Sequence, residues 1–121
     1  DFKSINDTFG HLSGDIALRT EATIISSCLR ESSILGRYGG DEFIILTDID
    51  NVNSLKIICE RIAEKTREHA EKIAGFPFTI SMGAASGEIG REHEKSLATI
   101  IDRADKKLYK SKRTGKNRWT V

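Results

Sequence analysis

Arg37-Tyr38-Gly39-Gly40-Asp41-Glu42-Phe43-Ile44-Ile45-Leu46 sets two glycines and two carboxylates between strand-like runs, Ile34 to Tyr38 before them and Glu42 to Thr47 after. Glycine tolerates the positive φ values of tight turns, so the stretch predicts a β-hairpin with Gly39, Gly40 and Asp41 at its tip. The second arm, Phe43 to Leu46, is apolar without alternation. That suits a strand covered on both faces, and such a sheet needs flanking helices.

The flanking sequence supplies them. Upstream, Phe2, Ile5 and Phe9 recur at helical spacing until Gly10. From Asp15 to about Glu31, Leu18, Ala22, Ile25 and Leu29 define the apolar face of a helix that Ser13 or Asp15 is placed to cap. Downstream, Leu55, Ile58, Ile62 and Ala63 predict a long helix from Asn53 to about Ile73, with Asn51 or Asn53 as cap. Phe76, Phe78, Ile80, Met82 and Ala84 alternate as a strand does. A last helix begins near Ser96, carries Leu97, Ile100, Ile101, Ala104 and Leu108, and stops at Gly115. Arg118 to Val121 then suits an edge strand. Helix, hairpin, helix, strand, helix, strand is an α/β (α+β) sandwich, not an alternating Rossmann chain.

The 121 residues suffice for one domain with one core. With 38% hydrophobic and 31% charged residues, and a single proline, the composition excludes disordered and collagen-like chains. No apolar run has the length of a bilayer span and the first residues do not read as a secretory signal, so the expected location is cytoplasmic. A membrane anchor elsewhere in the parent protein is compatible with that. Cys28 and Cys59 lie in helical apolar patterns without metal-ligand spacing, and read as buried free thiols.

The net charge is +1, yet Arg103, Lys106, Lys107, Lys110, Lys112, Arg113, Lys116 and Arg118 crowd the C-terminal end. Taken alone this is a solvated helix face, or a surface for an anionic partner. Nucleic acid is disfavoured, because Tyr109 and Trp119 do not make an aromatic platform. The acidic hairpin is equally ambiguous by itself. Asp41 and Glu42 suit a solvated turn, or a tip that holds Mg²⁺ against a nucleotide whose phosphates approach bare glycine backbone. Asn6 and Asp15 suit turns and caps, or the acceptor and donor edge of guanine. Lys112 and Lys116 fall where both could reach one phosphate group.

In combination these blocks are recognisable. Phe2-Lys3-Ser4-Ile5-Asn6-Asp7, Gly10-His11, Gly14-Asp15, Arg37-Tyr38-Gly39-Gly40-Asp41-Glu42-Phe43, Ser81-Met82-Gly83, Ala104-Asp105 with Leu108-Tyr109, and Lys112, Gly115 and Asn117 resemble the GGDEF family, in family order over almost the whole chain. The resemblance implies a nucleotidyl-cyclase palm-like fold, with a central, mainly antiparallel sheet flanked by helices. It implies a diguanylate cyclase, a nucleotidyltransferase of bacterial signalling that condenses two GTP into cyclic di-GMP and pyrophosphate. Because each domain holds one GTP, the partner is a second GGDEF domain in a homodimer, and an upstream sensory or receiver domain is expected in the parent protein. By motif, Asn6 and Asp15 match the guanine contacts, Phe2 and Lys3 the backbone that cradles phosphates, and Lys112 and Lys116 the terminal-phosphate clamp. Gly39 and Gly40 match the close backbone approach. Asp41, Glu42 and Arg37 match the catalytic group, with Asp41 a ligand of Mg²⁺ or Mn²⁺.

Two departures qualify the match. In the family, a strand ending in Asp-x-Asp precedes the Phe-Lys block and its first aspartate binds metal beside the residue matching Asp41. This sequence starts at Asp1, in the spacer position. The expectation is therefore a single GGDEF domain over residues 1–121 without its leading helix, first core strand and second metal ligand. Secondly, the inhibitory product site of many family members, Arg-x-x-Asp, is replaced by Arg30-Glu31-Ser32-Ser33, which predicts weak or absent product feedback. The alternative reading is a catalytically inactive GGDEF-like module for GTP binding, dimerisation or regulation.

Overall fold

Four helices and four short strands follow the predicted order in the computed structural model, which describes residues 2–10 and 12–121, with side chains for residues 5–10 and 12–121. The elements are α1 (Phe2–Phe9), α2 (Ser13–Cys28), β1 (Ile34–Arg37), β2 (Phe43–Leu46), α3 (Val52–Ala74), β3 (Met82–Gly83), α4 (His93–Arg113) and β4 (Trp119–Thr120). Asp1 and His11 lie outside the described residues. The chain divides into two compact units, one of residues 1–48 and 64–78, the other of residues 49–63 and 79–121.

In the first unit, α1 stops at Gly10, whose φ of 106° leaves the helical region and whose N–H closes on Asn6 O at 3.0 Å. Phe9 stacks on Phe76 with ring centroids 4.9 Å apart, and Phe76 meets Phe78 at 6.1 Å. β1 and β2 form an antiparallel hairpin in which Ile34 opposes Leu46 and Arg37 opposes Phe43. β2 is half-buried along its length rather than fully covered.

The buried face of α2 shares Ile25 with the predicted stripe and otherwise differs from it. Ala17, Glu21, Ile24, Ile25 and Cys28 are buried, whereas Leu18, Ala22 and Leu29 are only half-buried. Both rows obey helical spacing. Apolar residue type favours the row without a glutamate, yet packing turns Glu21 inward to 2% exposure, where the Thr66 hydroxyl of α3 meets its carboxylate oxygens at 3.1 and 3.2 Å. Burial pushes the Glu21 carboxyl up to about 7, with the Thr66 hydrogen bond offsetting part of that rise. Neither Ser13 nor Asp15 caps this helix: Leu12 holds the N-cap position with φ 74° and no side-chain bond.

In the second unit, Asn51 caps α3 as expected, its Oδ1 accepting from Ser54 N–H at 3.3 Å. α4 begins at His93, ahead of the predicted Ser96, and Ser96 Oγ instead accepts from Gly90 N–H at 3.1 Å. β3 pairs in parallel with β4, through Met82 N–H to Arg118 O and Ala84 N–H to Thr120 O, both 2.9 Å. The ladder is shorter than the alternation from Phe76 to Ala84, because β4 offers only two residues to pair with. α4 packs on both strands. A Cβ at Gly83 would lie 2.6 Å from Leu108 Cα and would also collide with Leu108 N and Ala104 O. Gly83 is therefore what lets α4 touch the strand. Ser111, fully buried, donates to Met82 O at 2.8 Å and bonds Thr120 Oγ1 at 2.7 Å, joining the helix to both strands.

At its C-terminus α4 ends in a Schellman-type turn: Lys116 N–H bonds Ser111 O at 3.0 Å across Gly115, whose φ is 129°. Both cysteines are free and buried. Burial, with Glu60 beside it, pushes the Cys59 thiol up to about 11, so it stays protonated at neutral pH. Among the described residues no helix is long and apolar enough to cross a membrane.

Candidate active site

The hairpin tip is closed from inside. Tyr38 N–H and Gly39 N–H both donate to Glu42 O, at 2.8 and 3.3 Å. Arg37, the last residue of β1, folds its guanidinium over the turn. Its Nε lies 3.3 Å from Gly39 O and 3.2 Å from Gly40 O, and Nη2 also donates to Gly40 O. The family resemblance places Arg37 in the catalytic group; in the structure its side chain braces the turn carbonyls, which converge on its planar fork of donors.

The glycines act differently from the expected turn chemistry. Positive φ occurs at Gly10, Gly75 and Gly115 and not at Gly39 or Gly40, so this loop does not need their left-handed freedom. Their contribution is bare backbone. A Cβ on Gly40 would meet nothing within 4 Å, and one on Gly39 would meet only the Glu42 side chain, at 3.9 Å and beyond. Asp41 is exposed beside this open backbone and Glu42 is half-buried. A ligand can therefore reach the main chain of the tip with a carboxylate at its side.

Asn6 and Asp15 are brought to the junction of α1 and α2. Asn6 Oδ1 accepts from Gly14 N–H at 2.6 Å, and Asp15, exposed, follows in the first turn of α2. A carboxylate there is favoured by the partial positive charge of the helix N-terminus. An amide and a carboxylate thus stand one residue apart around Gly14, a donor and an acceptor for a base edge. Gly14 belonged to the sequence match without a role; its signal was the small residue flanking Asp15, but the contact with Asn6 is tertiary.

Lys112 and Lys116 belong to the second unit, both exposed, Lys112 on the last turn of α4 and Lys116 in the turn beyond it with φ 60°. Arg113 lies over the ring of Tyr109 at 5.6 Å. The side chains of Phe2 and Lys3 fall outside the described residues, their backbone being the start of α1. No group of three His, Cys, Asp or Glu residues poised for a metal occurs among the described residues. Asp41 nevertheless fits Mg²⁺ as a partner, since that ion takes hard oxygen ligands and is commonly held by one or two carboxylates together with phosphates and water.

Residues 1–118 match the family described as diguanylate cyclase, GGDEF domain. The chain is 42% identical over 122 residues to diguanylate cyclase A of Treponema denticola, covering 99% of this chain and 32% of that protein. It is 38% identical to diguanylate cyclase DgcZ of Escherichia coli, over 97% of this chain and 39% of that protein. It therefore spans well under half the length of these relatives. Among solved structures it resembles the active GGEEF domain of a diguanylate cyclase from Vibrio cholerae, with TM-score 0.82 and 32% identity over 100% of this chain and 76% of that one. It also resembles the GGDEF domain of DgcB from Caulobacter crescentus, solved in complex with c-di-GMP, with TM-score 0.72 and 27% identity over 98% of this chain and 70% of that one.

Proposed function

The chain belongs to the GGDEF, diguanylate cyclase, domain family, and from that premise we propose that it forms the catalytic part of a cyclase that condenses two GTP into cyclic di-GMP with release of pyrophosphate. The observation that carries the reading is the hairpin tip: open backbone at Gly39 and Gly40, with exposed Asp41 beside it and Arg37 bracing the turn carbonyls.

In the proposed reaction, the ribose 3′-hydroxyl of one GTP attacks the α-phosphorus of the other. The new P–O bond replaces the bond to the β-phosphate, and pyrophosphate leaves. Repetition in the opposite sense closes the ring, so a homodimer in which two domains face each other supplies both nucleotides. Asn6 and Asp15 hold the base, and the bare Gly39-Gly40 backbone admits the phosphates. Phe2, Lys3, Lys112 and Lys116 keep the phosphate roles that the family resemblance assigns them. Asp41 would hold Mg²⁺ or Mn²⁺, which when bound supplies charge neutralisation on the phosphates and a template for in-line attack. Asp41 or Glu42 would accept the proton that leaves the attacking hydroxyl, and Arg37 keeps their turn in place. Positioning and electrostatic stabilisation together supply almost all of the acceleration in such a transfer.

The test is GTP turnover by the full-length protein beside Asp41→Ala, read as pyrophosphate release with Mg²⁺ present. The variant is expected to lose at least about a hundredfold in kcat, the scale of a general base or a transition-state charge contact. Equal rates would remove Asp41 from the reaction. GTP binding without any turnover by the native protein would favour the regulatory module.

A further inference from the structure

Helix α2 begins without a cap of its own. Leu12, at the N-cap position, has no side-chain oxygen, yet the second N–H of the helix, that of Gly14, is one of the donors a cap normally satisfies. Its acceptor comes from eight residues upstream, Asn6 Oδ1 at 2.6 Å. The carboxamide also lies close over the Gly14 Cα. A Cβ there would stand 3.0 Å from Oδ1, 3.1 Å from Nδ2 and 3.3 Å from Cγ. The amide therefore occupies the space that any side chain at position 14 would take.

This has a chemical consequence for Asn6. A carboxamide that contacts a base can offer its oxygen as acceptor or its nitrogen as donor, and a rotation about its last bond exchanges the two. The bond from Gly14 N–H fixes that rotation by engaging the oxygen, so Nδ2 is the atom left to donate. Asp15, next in sequence, offers only acceptors when ionised. A fixed donor beside a fixed acceptor suits a purine edge that presents an acceptor next to donors, as guanine does with O6, N1–H and the N2 amino group. Adenine presents the reverse order, N6 amino donor and N1 acceptor.

We propose that Gly14 is a positioning residue for base selection: its N–H orients the Asn6 carboxamide with Nδ2 toward the nucleotide, and its missing side chain leaves the amide room to sit there. The proposal rests on the reading of Asn6 and Asp15 as base contacts. Gly14 acts through Asn6 and does not itself touch the base.

A double-mutant cycle on the full-length protein separates the two. The probes are 3′-deoxy-GTP and 3′-deoxy-ATP, which bind but lack the attacking hydroxyl. Asn6→Ala and Gly14→Ala are each expected to weaken 3′-deoxy-GTP binding by about tenfold, the scale of one lost hydrogen bond, and to narrow its preference over 3′-deoxy-ATP. Gly14→Ala is expected to add nothing once Asn6 is alanine. Losses that multiply in the double variant would overturn the positioning role while leaving Asn6 as a base contact. An Asn6→Ala variant with native nucleotide preference would remove the base-contact reading itself, and the proposal with it. Should Gly14→Ala fail to fold, amide hydrogen exchange at Gly14 decides: it should be at least about tenfold slower in the native protein than in Asn6→Ala. Equal exchange rates would overturn the proposal.

Discussion

Replacing Glu21 by glutamine should change how stability depends on pH. Glu21 is 2% exposed, on the helix that carries Asp15 at its start, and the Thr66 hydroxyl is the donor at its carboxylate. Burial raises its pKa from 4.5 to about 7, and the Thr66 bond opposes the rise. In the folded state Glu21 holds its proton across a range where the unfolded chain has already released it. Stability is then fully present below 4.5, falls as pH rises through the interval, and levels out above about 7. The rise corresponds to about 3 kcal/mol between the two ends. Glu21→Gln keeps the size and shape of the side chain and cannot ionise. In urea titrations at several pH values, the native protein should lose about 3 kcal/mol between pH ~4.5 and ~8 relative to Glu21→Gln. Native and variant curves that fall in parallel would refute the reasoning, since the pH dependence would then belong to other groups.

Further outcomes follow from individual contacts. Gly83→Ala pushes a methyl into the α4 backbone at Leu108 and should destabilise the protein by at least about 2 kcal/mol, read as a lowered denaturation midpoint; a native midpoint would contradict the close packing. Ser111→Ala leaves Met82 O and Thr120 Oγ1 without their buried partner and should cost about 1–3 kcal/mol, whereas Ser111→Thr tests whether shape or the hydroxyl matters. Arg30 donates to Asp48 O at 3.0 Å, and Ser33, where a carboxylate would complete a product site, bonds Thr47 instead. Arg30→Ala should therefore leave inhibition by added cyclic di-GMP unchanged, and a large relief of inhibition would show that Arg30 binds product after all.

The fold was legible where local pattern decides it. Helical spacing located all four helices to within a few residues, Gly10 and Gly115 marked ends that the structure confirms by their φ values, and the apolar run at Phe43 gave the second arm of the hairpin. The candidate site was legible as a set of residue types. What the sequence could not show was long-range. Two stripes of α2 have equal periodicity, and only packing chooses the one containing Glu21. Ser96 looks like an N-cap, but its own N–H already bonds Glu92 O and its hydroxyl accepts from Gly90 N–H. The Gly39-Gly40 pair looks like left-handed turn chemistry, whereas neither glycine takes a positive φ and a Cβ on either would meet little or nothing. Arg37 reads by motif as part of the catalytic group, and its turn-bracing bonds appear only once the hairpin closes. Asn6 and Gly14 are separated by a junction whose geometry no spacing rule encodes.

Product analysis tests the proposed reaction most directly. Full-length protein incubated with GTP and Mg²⁺ should yield cyclic di-GMP, identified by mass, with two pyrophosphates released for each dinucleotide formed. Release of inorganic phosphate and GDP without any dinucleotide, or recovery of unchanged GTP from a folded and dimeric protein, would contradict it.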